Sequence, residues 1–338
     1  MLITVLSGGT WGITLAALLH GKGYEVRVWE YAAEVVETLA STRRHPKLPD
    51  FEVPAGIAIA TDMRASLAGT EWIVCAVPAA HLRETCRGVA AEGYAGQPFV
   101  IGSKGIEQGT LNLMHEVAAQ ELGAAARGKI VLLSGPSHAE EVSRGLPTAV
   151  TAAGESLDQA AAVQALFMTP RFRVYTQTDL VGVELGAALK NVIAISCGIS
   201  DGLGFGDNAK AGLITRGLSE IVRLGMAMGA RAQTFSGLAG MGDLVVTCMS
   251  RHSRNWKFGS LIGQGRSCEE ALKEVGMVVE GYYTVQAAVA LARRMAVEMP
   301  ITEAVAAVLF QGSKPLEAVS SLMLREARSE LTDKTPHG

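Results

Sequence analysis

Short apolar runs at close intervals fill the first half of the chain, and helical stripes fill the second. Residues 2–6, 25–30, 57–60, 72–77, 99–101, 130–133, 148–152 and 173–175 are apolar runs of strand length. They read as strands, with Pro78 closing the 72–77 run. Between them, residues 11–20, 32–40 and 81–91 carry helical spacing. Strands alternating with helices of this length imply βαβ units and a mostly parallel sheet. Beyond about residue 178 the strand-like runs stop. Helical patterns follow over 180–200, 208–228, 254–263, 281–295 and 301–310. The chain therefore divides into an α/β domain over 1–178 and an all-helical domain over 179–338. Asp179 is suited to cap the first helix of the second part. The polar tail after Arg328, with Pro336 and Gly338, reads as a frayed end.

Composition narrows the function. Hydrophobic residues make up 49% and charged residues 19%, enough for packed cores. A net charge of −3 without a basic stripe argues against a nucleic-acid partner. The 5 cysteines are odd in number, widely spaced and without a CxxC pair. They suit free thiols in a reducing compartment, hence the cytoplasm. The 7 histidines show no HxxxH or HExxH spacing, so no metal centre is expected. The first apolar run has no cationic segment before it and reads as a strand, not a signal peptide. Glu184 and Lys190 interrupt the longest apolar stretch, so no integral membrane segment is expected.

Ser7-Gly8-Gly9-Thr10-Trp11-Gly12 follows the first strand and opens the first helix. In a GxGxxG frame, Gly9 lets the backbone approach a pyrophosphate, and Gly12 lets the helix pack on the strand. Ser7 stands where the first glycine is usual, with Gly8 beside it to absorb the turn's strain. Glu30 ends the second strand about 20 residues on, where a carboxylate accepts ribose hydroxyls and repels a 2′-phosphate. This favours NAD over NADP. The nearby Arg43, Arg44, His45 and Lys47 read either as a solvated charge run or as a phosphate screen, the first being the plainer reading.

The most telling residue is Lys190, inside an apolar helical stretch. Its helical neighbours Gly186, Ala187 and Ala194 offer an ammonium group nothing to pair with. Either it snorkels out at a helix edge, or it is desolvated, loses its proton easily and acts as a general acid/base. Lys104, after the 99–101 strand, faces the ligand crevice of a parallel sheet or is a surface turn lysine. Ser137 and Glu140, after Gly135, fit a capping box. Asp243 caps a helix, orients Lys190 or binds a substrate hydroxyl. Ser253, Arg254 and Asn255 start a helix, where free amides and a guanidinium suit a phosphate. Glu280 is a solvated residue or a ligand contact.

These segments, in order over nearly the whole chain, resemble the NAD(P)-dependent glycerol-3-phosphate dehydrogenases of the bacterial type. The resemblance rests on Gly9-Thr10-Trp11-Gly12, Ser103-Lys104-Gly105-Ile106, Gly135-Pro136-Ser137-His138-Ala139-Glu140-Glu141, Leu189-Lys190-Asn191-Val192, Gly240-Met241-Gly242-Asp243-Leu244, Ser253-Arg254-Asn255 and Val278-Val279-Glu280-Gly281. It implies a Rossmann-type N-terminal domain and an all-α C-terminal domain like that of 6-phosphogluconate dehydrogenase. It implies interconversion of sn-glycerol 3-phosphate and dihydroxyacetone phosphate, supplying phospholipid synthesis, and a homodimer. By position it makes Lys190 the proton acceptor. Lys104, Gly135, Ser137, Lys190, Asp243, Ser253, Arg254 and Asn255 match substrate contacts. Thr10, Trp11, Lys104, Ala139, Arg254, Val278 and Glu280 match NAD or NADP contacts. This chain departs from the family at Ser7, often Gly, and near Glu30-Tyr31, where a basic residue is frequent. Two other readings remain: a related two-domain dehydrogenase of a hydroxy acid or amino acid, and a non-catalytic nucleotide-sensing module.

Overall fold

The computed structural model describes residues 1–327, 329 and 330, so of the tail expected to fray all but Ser329 and Glu330 lies outside the described residues. Ten strands form: β1 (Leu2–Leu6), β2 (Glu25–Trp29), β3 (Arg44–His45), β4 (Leu48–Glu52), β5 (Ala58–Ala60), β6 (Trp72–Cys75), β7 (Phe99–Ile101), β8 (Ile130–Ser134), β9 (Thr148–Gly154) and β10 (Phe172–Gln177). Eight make one sheet, ordered β10-β9-β8-β7-β6-β1-β2-β5, and β3 and β4 make a separate hairpin. From β5 to β8 every pairing is parallel. That order, with its reversal between β1 and β6, is the doubly wound dinucleotide-binding arrangement, and ligands bind beyond the strand ends at the reversal. β9 runs antiparallel to β8 and pairs in parallel with β10. The expected parallel alternation thus stops at β8, because only the short segment Ala139–Val142 links β8 to β9 as helix. A parallel crossover needs a dozen residues or more, usually helical.

Every expected strand is present, with ends shifted by a residue or two. Helices not foreseen include Met114–Leu122, Leu157–Phe167, Cys268–Val275 and Pro315–Met323. Residues beyond β10 are helical, centred on Leu180–Gly202, which Asp179 caps by accepting the Gly182 N–H at 2.8 Å. This central helix is long and apolar enough to cross a membrane by length and composition, despite Glu184 and Lys190. However, 89% of its apolar window is buried in the protein, as expected of a core helix.

The central helix meets helix Arg254–Gly263 backbone to backbone. A methyl group on Gly198 would lie 2.1 Å from the Trp256 carbonyl oxygen, and one on Gly259 2.1 Å from that of Ile195. Gly202 and Gly263 are equally confined, at 2.3 Å from the Ser260 oxygen and 2.4 Å from the Ile199 oxygen. Four glycines, at i and i+4 on each helix, therefore set how closely the two helices approach. This seam carries the amino-terminal end of the second helix to the face that bears Lys190 and Asn191.

Candidate active site

A cleft of about 620 Å³ runs from the glycine turn, past the ends of β6 and β7, to the start of helix Arg254–Gly263. Lys190 lies at its floor, only 6% exposed. Its Nζ donates to Asp243 Oδ1 at 2.5 Å and to Thr247 Oγ1 at 2.9 Å. Lys104 Nζ donates to the other carboxylate oxygen of Asp243 at 2.8 Å and to the Gly135 carbonyl at 3.2 Å. One buried carboxylate thus bridges two ammonium groups. Asp243 does not cap a helix. A turn at Leu238–Gly242 brings it in, and Gly186 lets that turn seat against the central helix: a methyl there would lie 2.6 Å from the Ala239 oxygen.

The protonation of this triad follows from burial and charge count. Burial pushes the Lys190 amine down to about 7, Asp243 opposes the shift, and Lys104 adds to it. A 2.5 Å ion pair does not keep the amine near its usual value, because burial outweighs it and Lys104, sharing the carboxylate, adds to the shift. Burial alone would raise the Asp243 carboxyl, but Lys104 and Lys190 outweigh it and hold the group below its usual value. The snorkelling reading of Lys190 is thereby excluded.

Helix Arg254–Gly263 starts as expected. Ser253 caps it, accepting the Trp256 N–H at 3.2 Å. Asn255 is buried, donating to Asn191 Oδ1 at 3.0 Å and accepting the Gly281 N–H at 2.8 Å. Arg254 is exposed, lines the cleft and makes no hydrogen bond among the described residues. Glu280 is not a solvated residue. It accepts the Ala79 N–H at 3.2 Å, and burial raises its carboxyl to about 7 against the pull of that amide and Arg254. Val278 and Ala139 also line the cleft.

The nucleotide end fits a dinucleotide. No side chain caps helix Thr10–Gly21, so its first amides lack intrahelical acceptors and suit a pyrophosphate. Gly9, Thr10 and Trp11 line the cleft there. Gly12 does not, but a methyl on it would meet the Ser7 carbonyl oxygen at 2.1 Å, which is the close packing expected of that position. Gly8 does not absorb the turn's strain. Ser7 takes it, with φ of 149°, its Oγ accepting the Gly9 N–H at 3.0 Å. Glu30 lies outside the cleft lining, with its carboxylate on the Gly8 N–H at 2.6 Å and the Ala32 N–H at 3.0 Å. His45 and Lys47 do line the cleft, so the plainer reading of the basic loop holds only for its other half. There Arg44 pairs with Glu52, and Arg43 serves the carbonyls of Val53 and Ile57.

The capping box is a second correction. His138, not Ser137, precedes helix Ala139–Val142, and Ser137 Oγ donates to the Gly135 carbonyl at 2.9 Å. Among the cleft residues that escaped the sequence reading are Thr247, Asn191 and His138. Thr247 had a signal, since it stands one helical turn beyond Asp243. Asn191 and His138 lay inside quoted motifs without a reason to single them out.

Two family models match, described as the N-terminus and C-terminus of NAD-dependent glycerol-3-phosphate dehydrogenase, over residues 2–160 and 179–320. The chain belongs to the NAD-dependent glycerol-3-phosphate dehydrogenase family. It is 48% identical over 332 residues to a glycerol-3-phosphate dehydrogenase using NAD(P)+ from Bacillus pumilus, covering 98% of this chain and 96% of that one. A crystal structure of glycerol-3-phosphate dehydrogenase from Coxiella burnetii aligns with a TM-score of 0.91 and 38% identity, over 96% and 99% of the two chains. A D-mandelate dehydrogenase structure shares the fold alone, at 13% identity and a TM-score of 0.63 over 94% of this chain and 100% of that one. Membership of the glycerol-3-phosphate dehydrogenase family thus rests on both halves of the chain.

Proposed function

We propose that the protein is an NAD(P)-dependent oxidoreductase interconverting sn-glycerol 3-phosphate and dihydroxyacetone phosphate, with Lys190 as general acid/base. The carrying observation is the triad at the cleft floor, an amine brought to about 7 beside a carboxylate shared with a second lysine. In oxidation, neutral Lys190 takes the proton of the C2 hydroxyl. In reduction, its ammonium form returns a proton to the carbonyl oxygen. A bound NAD or NADP, held by Gly9, Thr10, Trp11, Val278 and Glu280, supplies the hydride acceptor or donor. Asp243 and Thr247 aim the Lys190 amine and occupy two of its three donor positions, leaving one for substrate. Arg254 and the cap at Ser253 bind the phosphate, so the non-reacting end orients the reacting carbon. Lys104 and Ser137 line the cleft as well, and the Gly135 carbonyl, outside that lining, accepts from both.

The division at residue 178, a cytoplasmic homodimer, a role in phospholipid supply and a preference for NAD complete the proposal. The preference is supported by Glu30, whose charge lies at the glycine turn even though backbone amides engage it. Purified protein should oxidise NADH with dihydroxyacetone phosphate at least as efficiently as NADPH. Lys190→Ala should lose about 10²–10⁴ in turnover, with its circular dichroism unchanged. Full activity in that variant would refute the role of Lys190, and a strong NADPH preference that of Glu30. Light scattering on the eluting protein tests the dimer.

A further inference from the structure

Two imidazoles meet in the cleft, and the mechanism above uses neither. His138 ends the segment after β8 that carries Gly135 and Ser137. His252, which is exposed, directly precedes Ser253, the cap of helix Arg254–Gly263. Both line the cleft. Their ring centroids lie 6.0 Å apart with the planes tilted by 54°, so the rings touch. The contact ties a loop of the sheet to the helix start assigned to the phosphate. The Cα atoms of His252 and Arg254 are at most about 7 Å apart. A phosphate at that helix start therefore stands within a side chain's length of His252, whose ring abuts that of His138.

The two ring nitrogens of His138 differ. Nε2 is buried without a hydrogen-bond partner, whereas Nδ1 is bonded to nothing among the described residues yet is not sealed from solvent. Polar neighbours in the cleft are engaged with one another: Asp243 takes both lysines, and Ser137 Oγ donates to the Gly135 carbonyl at 2.9 Å. An imidazole left without a partner among such groups calls for a ligand. Its charge answers to the same surroundings. Burial pushes the ring below its usual value. Lys190 on the central helix and Lys104 after β7 add to that, while Glu140 on its own short helix and Asp243 oppose it. His252 faces it directly. Burial and the lysines thus keep the ring neutral at pH 7. A phosphate monoester brings a charge of about −1.5 to −2, and an anion nearby favours the charged form of an imidazole.

We propose that His138 is a further substrate-binding residue, which holds the phosphate together with His252 and Arg254 and takes up a proton as the substrate arrives. The inference deepens the glycerol phosphate reading above and rests on it. The proton comes from solvent and returns to it when the product leaves. A ring that is neutral without substrate and cationic with it gives a charge-assisted hydrogen bond to a phosphorylated ligand alone. His138 therefore discriminates dihydroxyacetone phosphate from dihydroxyacetone.

Steady-state reduction of dihydroxyacetone phosphate and of dihydroxyacetone by the full chain tests this. In His138→Gln the kcat/KM preference for the phosphorylated ketone should shrink about tenfold, the worth of one charge-assisted hydrogen bond, with the loss falling on KM more than on kcat. If that variant fails to fold, His138→Phe, which keeps a ring against His252, carries the same measurement. KM of the native protein for dihydroxyacetone phosphate should rise as pH climbs above about 7, since uptake of a proton strengthens binding only while the ring can hold one. In the variant that rise should flatten, while the pH dependence of kcat, set by Lys190, stays. With isotope-labelled histidine, NMR should show the His138 ring titrating at higher pH once sn-glycerol 3-phosphate is bound beside NADH, a pair that cannot react. Equal losses on the two ketones, a His138 titration that ignores bound sn-glycerol 3-phosphate, or weakened NADH in place of weakened substrate would overturn the proposal and leave the reading above intact. Absence of dihydroxyacetone phosphate turnover in the native protein would sink that reading and this inference with it.

Discussion

Replacing Asp243 with asparagine keeps the shape of the side chain and removes the charge shared by two lysines. At 2.5 and 2.8 Å, and an effective dielectric constant of about 20, each attraction is worth about 6–7 kcal/mol before desolvation. Desolvation offsets much of this, and breaking a buried pair costs about 3–5 kcal/mol of stability. The Lys190 amine keeps both influences that lower it, burial and Lys104, and loses the one that raises it. If only about 2 kcal/mol of the attraction survives, the proton affinity of Lys190 drops by about 1.5 units. With Lys190 as the proposed general acid/base, reduction should need the ammonium form and fall as pH rises through about 7, whereas oxidation should need the free amine and rise. In Asp243→Asn the ammonium form at pH 7 becomes scarce. We expect kcat/KM for dihydroxyacetone phosphate reduction at pH 7 to fall at least about tenfold, and oxidation of sn-glycerol 3-phosphate at pH 9 to fall less. The NADH dissociation constant, read by fluorescence, should stay within about twofold, since the triad touches no nucleotide-turn residue. Equal losses in both directions from pH 6 to 9 would refute this account of the amine.

Arg254→Ala should raise KM for dihydroxyacetone phosphate about 10–100-fold, the worth of charge-assisted bonds, with a smaller change in kcat; steady-state kinetics decide, and an unchanged KM would move the phosphate elsewhere. Ser7→Gly removes a strained backbone angle worth about 1–3 kcal/mol and loses one hydrogen bond, so urea unfolding should show a net gain near 1 kcal/mol. A clear loss would mean the serine carries no strain. Gly259→Ala drives a methyl into the Ile195 carbonyl and should cost at least about 1–3 kcal/mol, along with a raised KM for substrate, seen in thermal melts and initial rates.

Much of the fold was legible because its strands are buried runs with plain boundaries. The alternation broke at β9, where the short Ala139–Val142 segment leaves no room for a crossover helix. Helix Met114–Leu122 hid because Leu113, which precedes it, is no capping side chain: Glu116 accepts the Leu113 N–H at 2.7 Å, and the Glu184 carboxylate, 69 residues on, accepts the His115 N–H at 2.8 Å. The site was legible where chemistry is local, as at Ser253 and Lys190. It was illegible where partners are distant, as for Asp243 with Lys104, or where a residue acts through the backbone, as Glu30 does at Gly8. Ser7 shows a limit of motif reading. A missing glycine suggested that its neighbour takes the strain, yet the hydrogen bond from the Gly9 amide holds the serine itself in that geometry.

The seam at Gly198, Gly202, Gly259 and Gly263 has a consequence for substrate size. Two main chains with only hydrogen between them leave no side chain to lengthen or trim. The main-chain distance between position 190 and the start of the helix at 254 is therefore set by peptide geometry, and the proposed proton-transferring amine and phosphate-binding guanidinium extend from fixed roots. Ordinary core exchanges cannot retune it for a phosphoalcohol one carbon longer; only a re-routed loop or a shifted helix register can.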